Sequence, residues 1–178
     1  MNITLRQPRG LRWLQTYYLY RSSFPRSERK PFRMIVKMAR AGKTDLWCLE
    51  REGKFVGLAA TINSPELVLV DYFAICKAHR GEGIGTAALQ TLMEHYRDYG
   101  FFLEIETTLG QAPNQAEREK RKRFYLAAGL EELHTTAELF GVDMELLGTR
   151  CQLDFEGYRK FYRDNYSDWA AEHVKPIA

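Results

Sequence analysis

The sequence feature that most constrains the fold is the apolar run of residues 66–76, ELVLVDYFAIC. In an extended chain, large side chains lie on both faces of this run, with Leu67, Leu69, Phe73 and Ile75 on one face and Val68, Val70, Tyr72 and Ala74 on the other. Strands that are apolar on both faces are typical of sheets whose two sides are both covered. We therefore expect a central strand in the interior of a layered domain.

The segments on either side of this run predict alternating strands and helices. Apolar residues at helical spacing predict helices at about residues 9–20, 31–40, 84–100 and 116–128. Alternating or β-rich runs predict strands at about residues 1–7, 45–50, 54–63, 101–108, 130–136 and 144–153. This order predicts an α+β fold with a mixed, mostly antiparallel central sheet that is flanked by helices.

Length and composition set the domain organisation. A chain of 178 residues has the length of one domain with a terminal appendage, and we expect a domain over residues 1–155 and an extension over residues 156–178. Its 45% hydrophobic and 28% charged residues exclude an intrinsically disordered chain. No apolar run approaches the roughly 20 residues of a membrane span, and residues 1–10 lack the apolar core of a secretory signal. Cys48, Cys76 and Cys151 are too far apart for a disulfide framework or a zinc ribbon. We expect a cytoplasmic protein without a metal site.

Positive charge is concentrated in residues 21–43, where eight Lys or Arg residues and one acidic residue, Glu28, give a net charge of +7. The whole chain carries only +3. The segment could face an anionic partner or the domain's own acidic substrate pocket. The favoured interpretation is the solvated side of a helix, because apolar residues recur at helical spacing on its other side: Phe32, Ile35, Val36 and Ala39. Nucleic-acid binding is not favoured, since the segment lacks interleaved exposed aromatic residues and a recognised binding module.

A glycine-rich loop follows the central strand, in the stretch ICKAHRGEGIGT of residues 75–86. Three glycines in five residues allow successive backbone N–H groups to turn toward one point. The N-terminus of the next helix adds unpaired donors and a positive dipole end, and this combination suits a phosphate group. The spacing is neither that of a Walker A motif nor that of a Rossmann fingerprint. The alternative is a glycine-rich turn that binds no ligand.

This loop resembles the signature (Gln/Arg)-x-x-Gly-x-(Gly/Ala) of the GNAT superfamily of N-acetyltransferases, in the residues Arg80-Gly81-Glu82-Gly83-Ile84-Gly85. A second stretch, RKRFYLAAGL at residues 121–130, resembles the helix of that family that ends in Phe-Tyr-x-x-x-Gly-Phe. The resemblance covers about residues 44–150. It implies a three-layer GNAT-like fold and an N-acetyltransferase that uses acetyl-CoA as co-substrate, with no metal. The alternative is a catalytically silent GNAT-like module that binds CoA and regulates or scaffolds a partner.

The resemblance also implies which residues bind acetyl-CoA. The amides of the glycine loop are expected to hold the pyrophosphate, and the end of the preceding strand is expected to bind the pantetheine arm as an added strand does. The implied cofactor-binding residues are Phe73, Ala74, Ile75, Arg80, Gly81, Glu82, Gly83, Ile84, Gly85 and Thr86.

Three residues are candidates for proton transfer. Tyr125 matches the tyrosine that the family places near the sulfur of CoA, so we expect it to be the general acid; the alternative is core packing. Glu104 matches a glutamate that some protein-acetylating relatives use, so it is the first candidate for the general base; the alternative is an ion pair with the arginines of the 116–128 helix. Asp71 is the second candidate, because a charged group inside a covered strand usually has a specific partner.

The resemblance implies that the acceptor contacts residues 17–31, the family's variable region, where the candidates are Tyr17, Tyr20, Phe24 and Glu28. The favoured alternative for each of them singly is ordinary helix packing or a position in a loop. The sequence does not identify the acceptor amine. The expected partners are acetyl-CoA and an amine, without nucleic acid or membrane, in a monomer or a homodimer.

Residues 155–178 contain six aromatic residues within fifteen positions. Four of them, Tyr158, Phe161, Tyr162 and Trp169, fall on one stripe of a helix. We expect an extra C-terminal amphipathic helix that packs on its own chain, with a homodimer contact as the alternative.

Overall fold

The computed structural model of the chain describes residues 1–26 and 28–177, which form two compact units. The first unit comprises Met1–Asn63 and Leu69–Arg97, and the second comprises Ser64–Val68 and the chain from Asp98 onward. Each unit contains both helices and strands. The predicted division into a domain over residues 1–155 and an extension over residues 156–178 stays a prediction.

The elements of the first unit follow the predicted order. They are β1 (Thr4–Arg6), α1 (Arg12–Ser23), α2 (Phe32–Arg40), β2 (Thr44–Arg51), β3 (Lys54–Asn63), most of β4 (Leu67–Ile75) and α3 (Ile84–His95). A single 3-10 turn, Lys77–His79, lies between β4 and α3. The strands are arranged in the order β1-β2-β3-β4, and β2 pairs with both β1 and β3 in antiparallel fashion.

Both faces of these strands are covered, as the apolar run of β4 predicts. On one face, α1 and α2 pack on the strands through a core of Tyr20, Ile35, Leu46, Leu58, Ala60, Tyr72 and Ala74. On the other face, the Tyr96 hydroxyl at the end of α3 joins β2 and β3. It donates to Asp45 of β2 at 2.7 Å, accepts from the Trp47 indole of β2 at 2.9 Å and lies 3.0 Å from the Thr61 hydroxyl of β3. Ile84, Ala88, Leu89 and Leu92 of α3 are buried. The strands of this unit therefore form the interior layer.

The second unit contains β5 (Gly100–Glu106), α4 (Gln115–Ala127), β6 (Glu131–Leu139), β7 (Val142–Thr149), α5 (Phe155–Asn165), α6 (Asp168–Glu172) and β8 (Val174–Lys175). The strand order is β5-β7-β6-β8, and each of the three pairings is antiparallel. A bulge in β6 between Glu132 and Thr136 brings His134 to a φ of 55°. The predicted α+β class and the mostly antiparallel strands are confirmed.

The prediction of one continuous C-terminal helix is wrong. Helix α5 ends at Asn165, and Ser167 begins α6 by accepting a hydrogen bond from the Ala170 N–H at 3.1 Å. Because the helix is interrupted, Trp169 leaves the predicted stripe and is 62% exposed. The other three residues of that stripe, Tyr158, Phe161 and Tyr162, are buried within the second unit, so α5 does pack on its own chain.

Residues 1–26 and 28–177 contain no helix that combines the length and the apolar character needed to cross a bilayer.

Candidate functional site

The glycine loop leads from β4 into α3 and has a backbone that requires glycine at two positions. Gly81 has a φ of +82° and Gly83 a φ of +77°, both in the left-handed region that side chains disfavour. A Cβ atom built on either residue meets no other atom within 4 Å. The space in front of the loop is therefore open enough for a ligand to approach the backbone.

The loop ends at the N-terminus of α3, where backbone donors are available. The first hydrogen bond of the helix runs from the Ala87 N–H to the Gly83 carbonyl at 3.1 Å. The N–H groups of residues 84–86 consequently have no partner in the helical ladder. These donors and the positive end of the helix dipole favour an anionic group. Ile84 can offer only its amide, because its side chain is fully buried.

Two charged side chains of the loop are engaged with its own unit. The Arg80 Nε donates to the Ile75 carbonyl at 3.1 Å, which fastens the loop to the end of β4. The Glu82 carboxylate forms an ion pair with Arg51 at 3.2 Å and lies 3.7 Å from the Nδ1 atom of His79. These contacts brace the loop, and the Arg51 guanidinium offsets a negative charge that would otherwise disfavour a phosphate group.

The end of β4 is tightly packed against β3. A Cβ atom at Gly57 would lie 2.5 Å from the Ala74 carbonyl oxygen, so only glycine permits this approach. The Cys76 N–H donates to the Val56 carbonyl at 2.9 Å and extends the pairing beyond the strand. Gly57 was missed in the sequence, although an isolated glycine in a strand pattern is a known indication of close backbone approach.

Asp71, in the middle of β4, is bound by a lysine. The Lys30 Nζ lies 2.6 Å from Oδ1 and 2.7 Å from Oδ2 of Asp71. The same nitrogen lies 5.6 Å from the centroid of the Tyr72 ring, within the range of a cation–π contact. The side chain of Asp71 is 11% exposed and that of Lys30 is 26% exposed. Asp71 thus has the specific partner expected of a charged group inside a covered strand.

Two tyrosine hydroxyls hold the segment before α2. The Tyr20 hydroxyl donates to the Lys30 carbonyl at 2.8 Å, and the Tyr72 hydroxyl accepts from the Lys30 N–H at 3.0 Å and donates to the Glu28 carbonyl at 2.9 Å. Burial raises the pKa of both phenols, so they stay protonated as donors well above neutral pH.

The four predicted acceptor residues therefore differ in position. Tyr20 is 3% exposed and belongs to the core of the first unit. Phe24 packs against Tyr72, with ring centroids 4.9 Å apart, and Glu28 contributes its backbone carbonyl to the tyrosine network. Tyr17 is partly buried and lines an open groove of about 650 Å³ that also contains Phe32 and three cations of the positively charged segment, Arg33, Lys37 and Arg40.

Glu104, on β5 of the second unit, accepts hydrogen bonds from two phenols. The hydroxyls of Tyr158 and Tyr162 each lie 2.8 Å from its Oε1 atom, and both tyrosines come from α5. The neighbouring carboxylate on the same face of β5, that of Glu106, forms ion pairs with two arginines of α4, Arg118 at 2.8 Å and Arg121 at 3.6 Å. Tyr158 and Tyr162 were identified in the sequence only as packing residues.

Tyr125 lies in the last turns of α4 and is partly buried. Desolvation raises the pKa of its phenol, and the nearby Arg121 opposes this shift. A phenol with a raised pKa keeps its proton at neutral pH, which is the form that a general acid needs.

Comparisons with known proteins support the family to which the sequence of the glycine loop points. The model of the acetyltransferase (GNAT) family matches residues 11–125. No curated protein matches the sequence. Similar solved structures include a GNAT-family protein of Bacteroides thetaiotaomicron, with a TM-score of 0.74 and 18% identity over 96% of this chain and 99% of that one. They also include Naa50 of Arabidopsis thaliana in complex with a CoA-Ac-MVNAL bisubstrate analogue, with a TM-score of 0.61, 18% identity and coverage of 85% and 100%. A third is an aminoglycoside 6'-N-acetyltransferase complexed with coenzyme A, with a TM-score of 0.66, 14% identity and coverage of 84% and 96%.

Proposed function

Because the chain belongs to the GNAT acetyltransferase family, we propose that it is an N-acetyltransferase that transfers the acetyl group of acetyl-CoA to a primary amine by direct attack in a ternary complex. The observation that carries the proposal is the glycine loop at the N-terminus of α3, with its two left-handed glycines and open approach. Similar structures are described as containing coenzyme A or a CoA-based analogue, which supports the same ligand here.

We propose that the amides of residues 81–86 hold the pyrophosphate of acetyl-CoA. The first turn of α3 supplies donors without helical partners, and Gly81 and Gly83 leave room for close approach. Arg80 adds positive charge, and the end of β4, Phe73 to Ile75, is proposed to bind the pantetheine arm. Acetyl-CoA supplies an activated acyl group, a thioester.

The acceptor must lose a proton before it can attack, because an alkylammonium has a pKa of about 10.4. We propose Glu104 as the base. The two phenols that donate to its Oε1 are neutral, and they can keep donating to that oxygen when the carboxyl group gains a proton. Asp71 is less suited to this step, since it would first have to release the ammonium of Lys30.

The departing thiolate belongs to a thiol of ordinary pKa about 8.5, so an acid that protonates the sulfur assists its departure near neutral pH. We propose Tyr125 as the acid, because its phenol has a raised pKa and is protonated at neutral pH. The closest alternative is that Tyr125 only positions the sulfur.

The test is an acetyl-CoA consumption assay against a panel of amines, with release of the CoA thiol as the readout. The panel should contain alkyl monoamines and diamines, aminoglycosides, free amino acids and peptides with a free N-terminus. We expect the CoA thiol to be released faster than by hydrolysis of acetyl-CoA alone with at least one class of amine. Tight binding of acetyl-CoA without turnover on any class would support the alternative, a silent CoA-binding module.

A further inference from the structure

We propose that Asp71 and the ring of Tyr72 form the binding site for the primary alkylammonium group of the acceptor, and that Lys30 of the same chain occupies this site when no acceptor is present. This inference rests on the proposed function, because it assigns the part of the acceptor that the first unit recognises. The side chain of Lys30 has the same chemistry as the proposed ligand, because the ε-ammonium of lysine is a primary alkylammonium on a four-carbon chain.

The site has the two components that a desolvated ammonium needs. Asp71 offers both carboxylate oxygens, at 2.6 and 2.7 Å from the Lys30 nitrogen. Tyr72 offers the face of its ring, with the centroid 5.6 Å from the same nitrogen. Asp71 is largely shielded from solvent, with its side chain 11% exposed, so its attraction for a cation is less screened than that of a surface carboxylate.

The backbone around Lys30 is held independently of its side chain. The Lys30 N–H and carbonyl are both bonded to tyrosine hydroxyls, those of Tyr72 and Tyr20. The carbonyl of Glu28 is bonded to the Tyr72 hydroxyl as well. Rotation of the lysine side chain would therefore separate its ammonium from the Asp71 carboxylate while the segment before α2 stays in place.

A second ion pair of the first unit, between Arg12 and Glu50, has the features of a purely structural contact. Arg12 binds Glu50 at 2.6 Å, and its other guanidinium nitrogens bond the Gln15 side chain and the Gly53 carbonyl. The exposures of this pair, 28% and 10%, are close to those of the lysine pair, 26% and 11%. The planar guanidinium of Arg12 cross-links three groups in a fixed geometry, whereas the ammonium of Lys30 is a compact point charge of the same kind as the ammonium of an acceptor.

The positive charge of residues 21–43 fits this assignment. The sequence left open whether the segment faces an anionic partner, solvent or an acidic pocket of its own domain. Lys30, one of its eight cations, faces an acidic group of its own domain, and that group lies on the strand that leads into the glycine loop.

The test uses n-butylammonium chloride as the probe and isothermal titration calorimetry without acetyl-CoA as the measurement. Lys30→Met removes the competing charge and keeps the apolar stem. We expect the variant to bind the probe about fivefold more tightly than the wild type, and the double variant with Asp71→Asn to lose this gain. Arg12→Met is the matched control, and its affinity for the probe should equal that of the wild type.

Equal affinity of the wild type and Lys30→Met, or a gain that survives Asp71→Asn, would overturn the proposal. If Lys30→Met does not fold, the wild type labelled with ¹³C-lysine provides a second measurement. Saturating n-butylammonium should shift the Cε resonance of Lys30, assigned through Lys30→Arg, and an unmoved resonance would also overturn the proposal.

The outcomes separate this inference from the proposed function. If n-butylammonium binds as predicted but the protein acetylates no amine, the proposed function is wrong and the proposed ammonium site stands. Acetylation of an amine whose KM is the same in the wild type and in Lys30→Met means that the ammonium site has failed and the function stands.

Discussion

The two units each place a candidate carboxylate on a strand, but they surround it differently. Asp71 of the first unit is bound through both oxygens by a cation, Lys30. Glu104 of the second unit accepts two hydrogen bonds from neutral phenols on one oxygen. A carboxylate that is paired with an ammonium is arranged to hold positive charge. A carboxylate oxygen that accepts from neutral phenols can keep those hydrogen bonds when the carboxyl group takes up a proton.

The difference suggests a division of labour. The first unit contains the glycine loop and Asp71, which are both proposed to bind ligands, and the second contains Glu104 and Tyr125, which are both proposed to transfer protons. Substitutions in the first unit should then change affinities, and substitutions in the second should change turnover.

The largest effect is expected at the loop. Gly83→Val should abolish binding of acetyl-CoA, because a branched side chain would stand in the open space in front of the amides and would disfavour the φ of +77°. Calorimetric titration with acetyl-CoA measures the loss. The matched control is Gly53→Val, since Gly53 has a φ of +74° and equally open surroundings in the β2–β3 turn. Both variants should lose about 1–2 kcal/mol of stability, so wild-type affinity in Gly83→Val would show that the loop does not bind the co-substrate.

The next effect concerns the base. Glu104→Gln should lower kcat by about 10²–10⁴-fold, the range for loss of a positioned general base, while the affinity for acetyl-CoA stays within twofold or so of the wild type. Steady-state kinetics with the best acceptor and a binding titration measure the two quantities. Glu106→Gln is the control, because Glu106 lies on the same face of β5 but is paired with arginines. A kcat that is equally reduced in both variants would remove Glu104 from the chemistry and weaken the comparison.

Tyr125→Phe should lower kcat by about 10²-fold with acetyl-CoA affinity unchanged. Because the pKa of Tyr125 is raised above the ordinary value of about 10, the phenol keeps its proton up to that pH and loses it only above it. The wild-type kcat should therefore fall only at a pH above the ordinary tyrosine pKa of about 10, and this alkaline limb should be absent in the variant. A pH–rate profile of both proteins is the measurement. An unchanged kcat in Tyr125→Phe would leave the tyrosine a packing residue.

The smallest effect concerns stability at alkaline pH and reports on the first unit. Burial raises the pKa of Tyr72 well above that of the unfolded chain, so above about pH 10 the unfolded state binds fewer protons than the folded state. The free energy of unfolding should then decrease by about 1.4 kcal/mol per pH unit for this tyrosine until its folded-state pKa is reached. Tyr72→Phe should lower the stability at neutral pH and reduce the alkaline slope. Denaturant unfolding between pH 8 and pH 11 checks both, and an unchanged slope would contradict the assignment.

The parts of the molecule that depend on local spacing could be predicted from the sequence. The turn at Gly53, the glycine loop and the helix stop at Gly129 each follow from residues a few positions apart. The covering of β4 on both faces follows from bulk at alternate positions. These features depend on the backbone preferences of single residues and on the alternation of side chains between the two faces of a strand. Neither depends on distant segments of the chain.

The contacts that define the candidate sites could not be predicted in this way. Lys30 and Asp71 are 41 positions apart, and Tyr158 and Glu104 are 54 positions apart. Such pairs are set by how the elements pack, and no spacing within a helix or a strand specifies them. The break at Ser167 did have a local indication, because serine followed by aspartate is typical of a helix start, but the aromatic periodicity pointed to a continuous helix.

The two tyrosine hydroxyls that fix the Lys30 backbone also determine how fast Lys30 can leave the proposed ammonium site and return to it. A gate that requires a loop to rearrange opens in nanoseconds to microseconds or more slowly, whereas a partly exposed side chain changes rotamer in picoseconds to nanoseconds. Since Lys30 is tethered at its N–H and its carbonyl, only its side chain has to move. The ammonium site would then exchange occupants far faster than a typical catalytic cycle of about 10 per second, and its occupancy by Lys30 would set an affinity without limiting a rate.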